Sequence, residues 1–445
     1  MQTKLALEFA DNPMAARAQT LLRQCVHCGF CNAVCPTYQL TGNELDGPRG
    51  RIYLVKQMLE GMRSSRETQL YLDRCLTCRN CESACPSGVE YGRLADIGRA
   101  IVEAKVPRPA NETRQRELLR VGLTSPTLRP LLKPAVRAGQ ALRNVLPEAI
   151  KARVPDAIMK HLPERRDPGS WPAPITGKPR ARVLVLAGCV EPALAPAIGR
   201  ATARVLAAAG IETVFPRKQG CCGALRQHLA DPEGARAQIR VNLDAWRPYL
   251  ERGSKHKVDT IISDASGCAS MLKDYGYLMA GDLRYGPLAA HASSLARDLS
   301  EMLPVLSRTL QNRIKPPDEE LVYHPPCTLQ HGQKLPGIVE KYLGALGFKL
   351  RLADEEAQMC CGAGGANAIL QPAIAEQLRE RKLGHLLPAE AGRPAAIVSA
   401  NMGCIMHLQS GTEVPVRHWI EILDAALIQP ADPKKAPEAP PAPAR

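Results

Sequence analysis

Sixteen cysteines could carry chemistry in this chain, and their spacing says which chemistry. Two runs are written alike: Cys25, Cys28, Cys31 and Cys35 followed by Pro36, then Cys75, Cys78, Cys81 and Cys85 followed by Pro86. Three closely spaced thiolates can each hold one corner of an iron–sulfur cube, and in paired runs of this kind the fourth Cys ligates the other cluster. The expected sets are therefore crossed: Cys25, Cys28, Cys31 and Cys85 for one 4Fe-4S cluster, and Cys75, Cys78, Cys81 and Cys35 for the other. The offset of fifty positions between the runs supplies the pseudo-symmetry that crossing requires. Zinc is the competing metal, since Cys-x-x-Cys pairs also build four-thiolate sites. Structural zinc has no use, however, for a third Cys at the same short step or for the two prolines.

The other eight cysteines form a second repeat. Cys189, the pair Cys221-Cys222 and Cys268 are separated by 32 and 46 residues; Cys327, the pair Cys360-Cys361 and Cys404 by 33 and 43. Each pair is followed by a glycine, Gly223 or Gly362, and further glycines stand at Gly188, Gly267 and Gly403. Glycine lets backbone turn tightly or approach a bulky inorganic group. These eight are candidate metal or redox residues; the competing reading is core filling, because free Cys packs as a small hydrophobe. His324 and His331 flank Cys327, and His228 follows the first pair. They are candidates for proton handling or an extra metal bond, against the plainer role of hydrogen-bonded structural histidines.

Elements must position these groups. Apolar spacing predicts a helix from Met14 to Leu22 and another at Ile52, Leu54, Val55, Met58 and Leu59 after a turn at Gly47-Pro48-Arg49-Gly50. Short apolar runs ending just before the later cysteines, at Val183–Leu186, Thr260–Ser263, Leu321–Tyr323 and Ala396–Ser399, read as buried strands. Helical stretches at 194–209, 235–250 and 372–386 lie between them. The fold class expected is mixed: an α-helical two-cluster 4Fe-4S ferredoxin domain (1–98), a basic helical segment and Pro-rich linker (99–181), two repeated α/β cysteine-rich layers with parallel strands (182–310 and 311–428), and a disordered tail (429–445). Ligands in parallel sheets gather at the carboxyl ends of strands, where these cysteines fall.

Composition sets the outer limits. With 445 residues and 45% hydrophobic content the chain can bury two or three cores. The formal charge of +14 is concentrated in residues 99–166, with fifteen Lys/Arg against six Asp/Glu. Only 4% of residues are aromatic, which leaves little base-stacking surface, so no nucleic-acid partner is expected. An acidic partner or an anionic membrane surface is the expected counterpart. No apolar run reaches the length of a membrane-spanning helix. Cysteines at metal-ligand spacing, without a secretory signal at the start, lead us to expect a cytoplasmic protein, peripheral on the inner face of the membrane.

Several stretches together resemble the iron–sulfur subunits of bacterial glycolate oxidase. They are Cys25-Val26-His27-Cys28-Gly29-Phe30-Cys31, Glu44-Leu45-Asp46-Gly47-Pro48-Arg49-Gly50-Arg51-Ile52-Tyr53-Leu54, Leu76-Thr77-Cys78-Arg79-Asn80-Cys81, Cys327-Thr328-Leu329-Gln330-His331 and Val416-Arg417-His418-Trp419-Ile420-Glu421. The resemblance implies an electron-transfer component that works with flavin-containing glycolate dehydrogenase subunits. A partner chain would carry FAD and oxidise glycolate to glyoxylate, and this chain would relay electrons to a membrane quinone. No strand-linked Gly-x-Gly-x-x-Gly fingerprint occurs here, so no dinucleotide is expected on this chain itself. The later repeats also resemble the cysteine-rich domain of heterodisulfide reductase and of anaerobic glycerol-3-phosphate and lactate-utilisation iron–sulfur proteins. The fullest form of that motif ends in Cys-x-x-Cys, whereas Ala265 and Asn401 stand three residues before Cys268 and Cys404. Each copy therefore offers four thiolates rather than five, enough for a further iron–sulfur cluster. Three alternatives remain open: a D-lactate or other 2-hydroxy-acid dehydrogenase subunit, a thiol–disulfide enzyme, and a scaffold.

Overall fold

A computed structural model describes residues 1–125, scattered positions between 127 and 141, and residues 178–251 and 253–428. The first layer is helical. Helix α1 (Pro13–Gln24) begins at Asn12, whose carboxamide oxygen accepts from the backbone N–H groups of Met14 and Ala15 at 2.9 and 3.2 Å. That satisfies two of the donors a helix start leaves free. Its stripe of Ala15, Ala18, Leu21 and Leu22 is buried, as its spacing dictates.

Helix α2 (Pro48–Leu59) begins earlier than expected. Pro48 takes its first position, where a missing N–H costs nothing, so the glycine-flanked stretch read as a turn is the helix's own first turn. Gly50 is required there: a Cβ would stand 2.2 Å from the Glu44 carbonyl oxygen. The longer helices that follow are α3 (Arg66–Asp73), α4 (Tyr91–Lys105) and α5 (Ala110–Gly122). Leu94, Ala95, Ile101 and Val102 of α4 bury against the core, so the helical layer runs past residue 98.

Part of the basic stretch is turned inward. Arg99 donates to the Leu72 carbonyl at 3.0 Å, and Arg108 and Arg116 both pair with Asp73, at 2.6 and 2.8 Å. These three buried cations hold α4 and α5 on α3 instead of forming a docking face. Most of the remaining basic segment and the Pro-rich linker, and the tail from 429, lie outside the described residues.

Two parallel sheets follow. Strands β1 (Ala181–Val185), β2 (Ile211–Val214), β3 (Thr260–Ser263) and β4 (Ala296–Asp298) lie in the order β2-β1-β3-β4. Strands β5 (Leu321–Tyr323), β6 (Leu350–Arg351), β7 (Ala396–Ser399) and β8 (Val416–His418) repeat it as β6-β5-β7-β8. The expected helices are present as α6 (Pro196–Ala208), α7 (Pro232–Leu250) and α10 (Pro372–Leu386). Helix α8 (Ser266–Lys273) leads from β3 toward β4, α9 (Leu303–Leu310) lies between β4 and β5, α11 (Met402–Gln409) between β7 and β8, and α12 (Trp419–Ala425) after β8.

One core serves both repeats. Val183, Val185 and Ile262 of the first sheet and Val322, Ile397 and Val398 of the second belong to one buried cluster with Leu303 and Leu306 of α9 and Trp419 and Ile420 of α12. Arg204 on α6 clasps Asp424 on α12 at 2.9 Å. The fold is thus a helical two-cluster domain followed by two cysteine-rich α/β layers that pack as a single body.

Candidate metal centres

The two N-terminal cysteine runs are looped by matched backbone. Residues on either side of the middle Cys take the left-handed conformation: His27 and Gly29 around Cys28 at φ +61° and +93°, Thr77 and Arg79 around Cys78 at +52° and +58°. Three of these are not glycine and carry backbone strain of the kind that concentrates at functional sites. Cys25, Cys28, Cys31 and Cys85 line one small cavity, together with Cys81 and Tyr91. The Cys31 thiol is pushed up to about 11, first by burial and then by Cys25, with Cys28 and Cys85 adding to it. Crowded thiols that resist ionising on their own are what a cationic iron centre neutralises.

The second set lies deeper. Burial pushes the Cys78 and Cys81 thiols well up, and Cys35 and Cys75 reinforce both. Cys75 goes the other way: burial alone would raise it, but Arg51 and Arg99 hold it below its ordinary value. Arg51 is 1% exposed and fixed by the Tyr71 carbonyl at 2.7 Å and Thr37 Oγ1 at 3.1 Å. The structure therefore brings Cys25, Cys28, Cys31 and Cys85 together, and Cys75, Cys78, Cys81 and Cys35 together. Donor number and type fit an iron–sulfur cluster in each.

The later cysteines all stand at carboxyl ends of strands. Cys189 follows β1, Cys221 and Cys222 follow β2, and Cys268 lies on α8 after β3; Cys327, Cys360-Cys361 and Cys404 occupy the same places after β5, β6 and β7. Cys221 is within hydrogen-bonding reach of Cys189 and Cys222, and Cys222 of Cys268. In the second copy Cys327 Sγ is 3.9 Å from Cys360 Sγ, and Cys361 reaches Cys404. Gly223 and Gly362 turn at φ +97° and +95° so that their N–H groups point at the Cys221 and Cys360 sulfurs, at 3.5 and 3.4 Å.

The sets adjoin one another. Leu76 and Cys78 pack in one buried cluster with Cys327, Met359, Cys360 and Leu378, and Cys78 feels Cys327 directly. A chamber of about 610 Å³ opens between the helical layer and both repeats, and Cys75, Cys189, Cys222, Cys268, Cys327 and Cys404 all contribute to its wall.

The three histidines separate. His331 is structural, with Nδ1 2.8 Å from Ser83 Oγ and Nε2 2.9 Å from the Gln358 carbonyl. His228 meets Asp96 at 3.2 Å on the chamber wall. His324 is 1% exposed, has no hydrogen-bond partner on either ring nitrogen, and lies within 4.8 Å of the Cys361 and Cys404 sulfurs. Burial, then Lys382 and His407, hold its pKa well below the ordinary value, so the ring is neutral.

Sequence spacing alone misses four supporting groups. Lys382 is buried beside Cys361 and Cys360 and donates to the Glu356 carbonyl. It interrupts the apolar stripe of Ala375, Leu378 and Leu386 on α10, a signal that could have found it. Arg51 was visible only as part of a longer match. Glu191 and Asp264 form a buried acid pair beside the first set; burial, then Asp264, pushes Glu191 well up, and burial raises Asp264 to about 6.

Comparison with known proteins agrees with this layout. Residues 21–89 match the family model of a 4Fe-4S dicluster domain, and residues 183–273 and 321–409 each match that of a cysteine-rich domain. The chain is 46% identical to the glycolate oxidase iron–sulfur subunit of Escherichia coli (strain K12), over 96% of this chain and 99% of that one. It is 30% identical to the probable glycolate oxidase iron–sulfur subunit of Bacillus subtilis (strain 168), over 88% and 89%. Lactate utilization protein A of Shouchella clausii is 26% identical over 53% of this chain and 96% of its own. The dicluster layer, the paired cysteine-rich sheets and near full-length identity together show that this chain belongs to the family of glycolate oxidase iron–sulfur subunits.

Proposed function

We propose that the chain conducts electrons from a flavoprotein partner that oxidises glycolate to glyoxylate, toward a quinone at the membrane surface. FAD on that partner would take up the two electrons of the oxidation, and iron–sulfur clusters held by the thiolates here would accept and release them singly. The observation that carries the reading is the unbroken adjacency of the thiol sets. Cys81 of the inner set lines one cavity with Cys25, Cys28, Cys31 and Cys85, which would hold the outer cluster, and Cys78, which with Cys75, Cys81 and Cys35 would hold the inner one, adjoins Cys327 and Cys360 of the second repeat.

The ends of this row differ. Cys28 is exposed, and Val26, Phe30 and Tyr53 beside it are exposed apolar side chains at 68%, 64% and 44%. This face suits a partner's flavin domain, and electrons enter there. The cysteines of the second repeat are all buried and those of the inner set mostly so, with Arg51 and Arg99 beside Cys75 and Lys382 beside Cys361 and Cys360. No helix among the described residues is long and apolar enough to cross a membrane.

The similarity to lactate utilization protein A favours one variant, in which the partner's acid is lactate or another 2-hydroxy acid. The test uses the assembled complex. Phe30→Asp should slow glycolate-driven reduction of this chain by at least tenfold with iron content unchanged, and Cys28→Ser should abolish electron delivery to quinone. Delivery that survives Cys28→Ser contradicts the proposal.

A further inference from the structure

The two cysteine-rich repeats match in fold but not in what surrounds their sulfurs. Three residues before the first Cys of each copy stand Leu186 and His324. Both are fully buried. The leucine needs nothing, but an imidazole carries polar ring nitrogens, and leaving both unmatched in the interior is unfavourable. His324 leaves both unmatched.

Its backbone is pinned beside those sulfurs. The His324 N–H donates to the Val398 carbonyl at 2.8 Å, and its own carbonyl accepts from Ser399 Oγ at 2.9 Å. The ring is thereby held between β5 and β7 with a nitrogen within 4.8 Å of the Cys361 and Cys404 sulfurs. A buried imidazole with no hydrogen-bond partner, placed beside two thiols, has the chemistry and the position of a metal ligand.

We propose that the second repeat binds an iron–sulfur centre through mixed ligation, with a ring nitrogen of His324 joining the sulfurs of Cys327, Cys360, Cys361 and Cys404. The inference deepens the electron-transfer reading and rests on that repeat being loaded. Five donors exceed the four that structural zinc takes, which favours iron. The histidine also supplies the fifth donor that Asn401 does not; Asn401 Nδ2 instead donates to Cys404 Sγ at 3.4 Å.

The neighbouring charges follow the same asymmetry. Ala235 and Ala375 approach Gly223 and Gly362 alike, which aligns α7 with α10 and sets Asn242 in the place of Lys382. Glu191 and Asp264 beside the first set are replaced by Leu329 and Ala400, and β-ladder pairing sets Asp298 opposite Ser263 where His418 stands opposite Ser399. A neutral ligand and a lysine at the second copy, against acids at the first, make the second centre the more easily reduced, as imidazole does when it replaces thiolate in other iron–sulfur centres.

Pulsed EPR on the full-length chain, purified without oxygen and poised in the paramagnetic state of that centre, tests this with and without ¹⁵N-histidine labelling. The expected result is a strongly coupled nitrogen that changes from ¹⁴N to ¹⁵N on labelling and disappears in His324→Gln. His324→Cys should keep the iron and lower the midpoint potential of that centre alone. An iron centre that vanishes in Cys361→Ser yet shows no coupled nitrogen overturns histidine ligation while leaving the loaded repeat standing. Iron content indifferent to Cys361→Ser overturns both, and zinc lost in that variant overturns the assignment to iron. The labelled wild-type chain decides the question even where a variant fails to fold.

Discussion

At the scale of single residues, two positions make sharp demands. Gly362 sits at φ +95°, and a Cβ there would stand 2.6 Å from the Ala375 carbonyl oxygen, whereas at Gly223 the nearest atom is 3.2 Å away. Gly362→Ala should therefore cost roughly 1–3 kcal/mol and more than Gly223→Ala, read as a larger fall in melting temperature and loss of metal from the second repeat first. Crossed ligation makes a second demand: Cys35→Ser should alter the EPR signal of the inner cluster and Cys85→Ser that of the outer one. The reverse pairing would show that each run serves its own cluster. The sixteen cysteines were legible because metal chemistry fixes their spacing. Lys382 left one signal, its break in the apolar stripe of α10, but Arg51 and the Glu191–Asp264 pair left none, since nothing in a linear spacing says that a charge will be folded against a thiolate.

At the scale of elements, the short loop ends that join the repeats carry a pH dependence. His418 ends β8 and caps α12: Nδ1 accepts from the Ile420 N–H at 3.1 Å, and Nε2 donates to the Asp264 carbonyl at 2.8 Å. Both bonds need the neutral ring, and burial holds its pKa down at about 4 against an ordinary 6.5. Between those values the unfolded chain binds the proton and the folded one does not, so the histidine lowers stability as pH falls from about 6.5 toward about 4. His418→Asn, which keeps a side-chain acceptor, should flatten that slope relative to the parent in urea unfolding; identical slopes would remove His418 as the cause. The strands just before the cysteines could be read from apolar runs, and α7 and α10 from their spacing. Strands β2, β4, β6 and β8 could not, because elements such as Leu350–Arg351 are too short to display an alternation. The start of α2 was misplaced because a proline and two glycines look alike in a turn and in a helix's first turn.

At the scale of the whole molecule, the cysteines of the second repeat are all buried while Cys28 of the outer set is exposed, and Cys78 of the inner set packs with Cys327 and Cys360 of the second repeat. Sequence alone gave the order of the layers along the chain but not this contact, which depends on Leu76 and Met359 meeting across more than 280 residues. The account requires the second repeat to be a redox site in line with the ferredoxin pair. The measurement that tests it most directly is iron and acid-labile sulfide per chain, with EPR of the dithionite-reduced protein, for the parent and for Cys360→Ser. A ferredoxin pair alone accounts for about eight irons and two coupled spins. The account predicts iron above that number, lost in Cys360→Ser, and an inner-cluster signal whose coupling changes when the repeat is emptied. Eight irons in both proteins with identical spectra would contradict it.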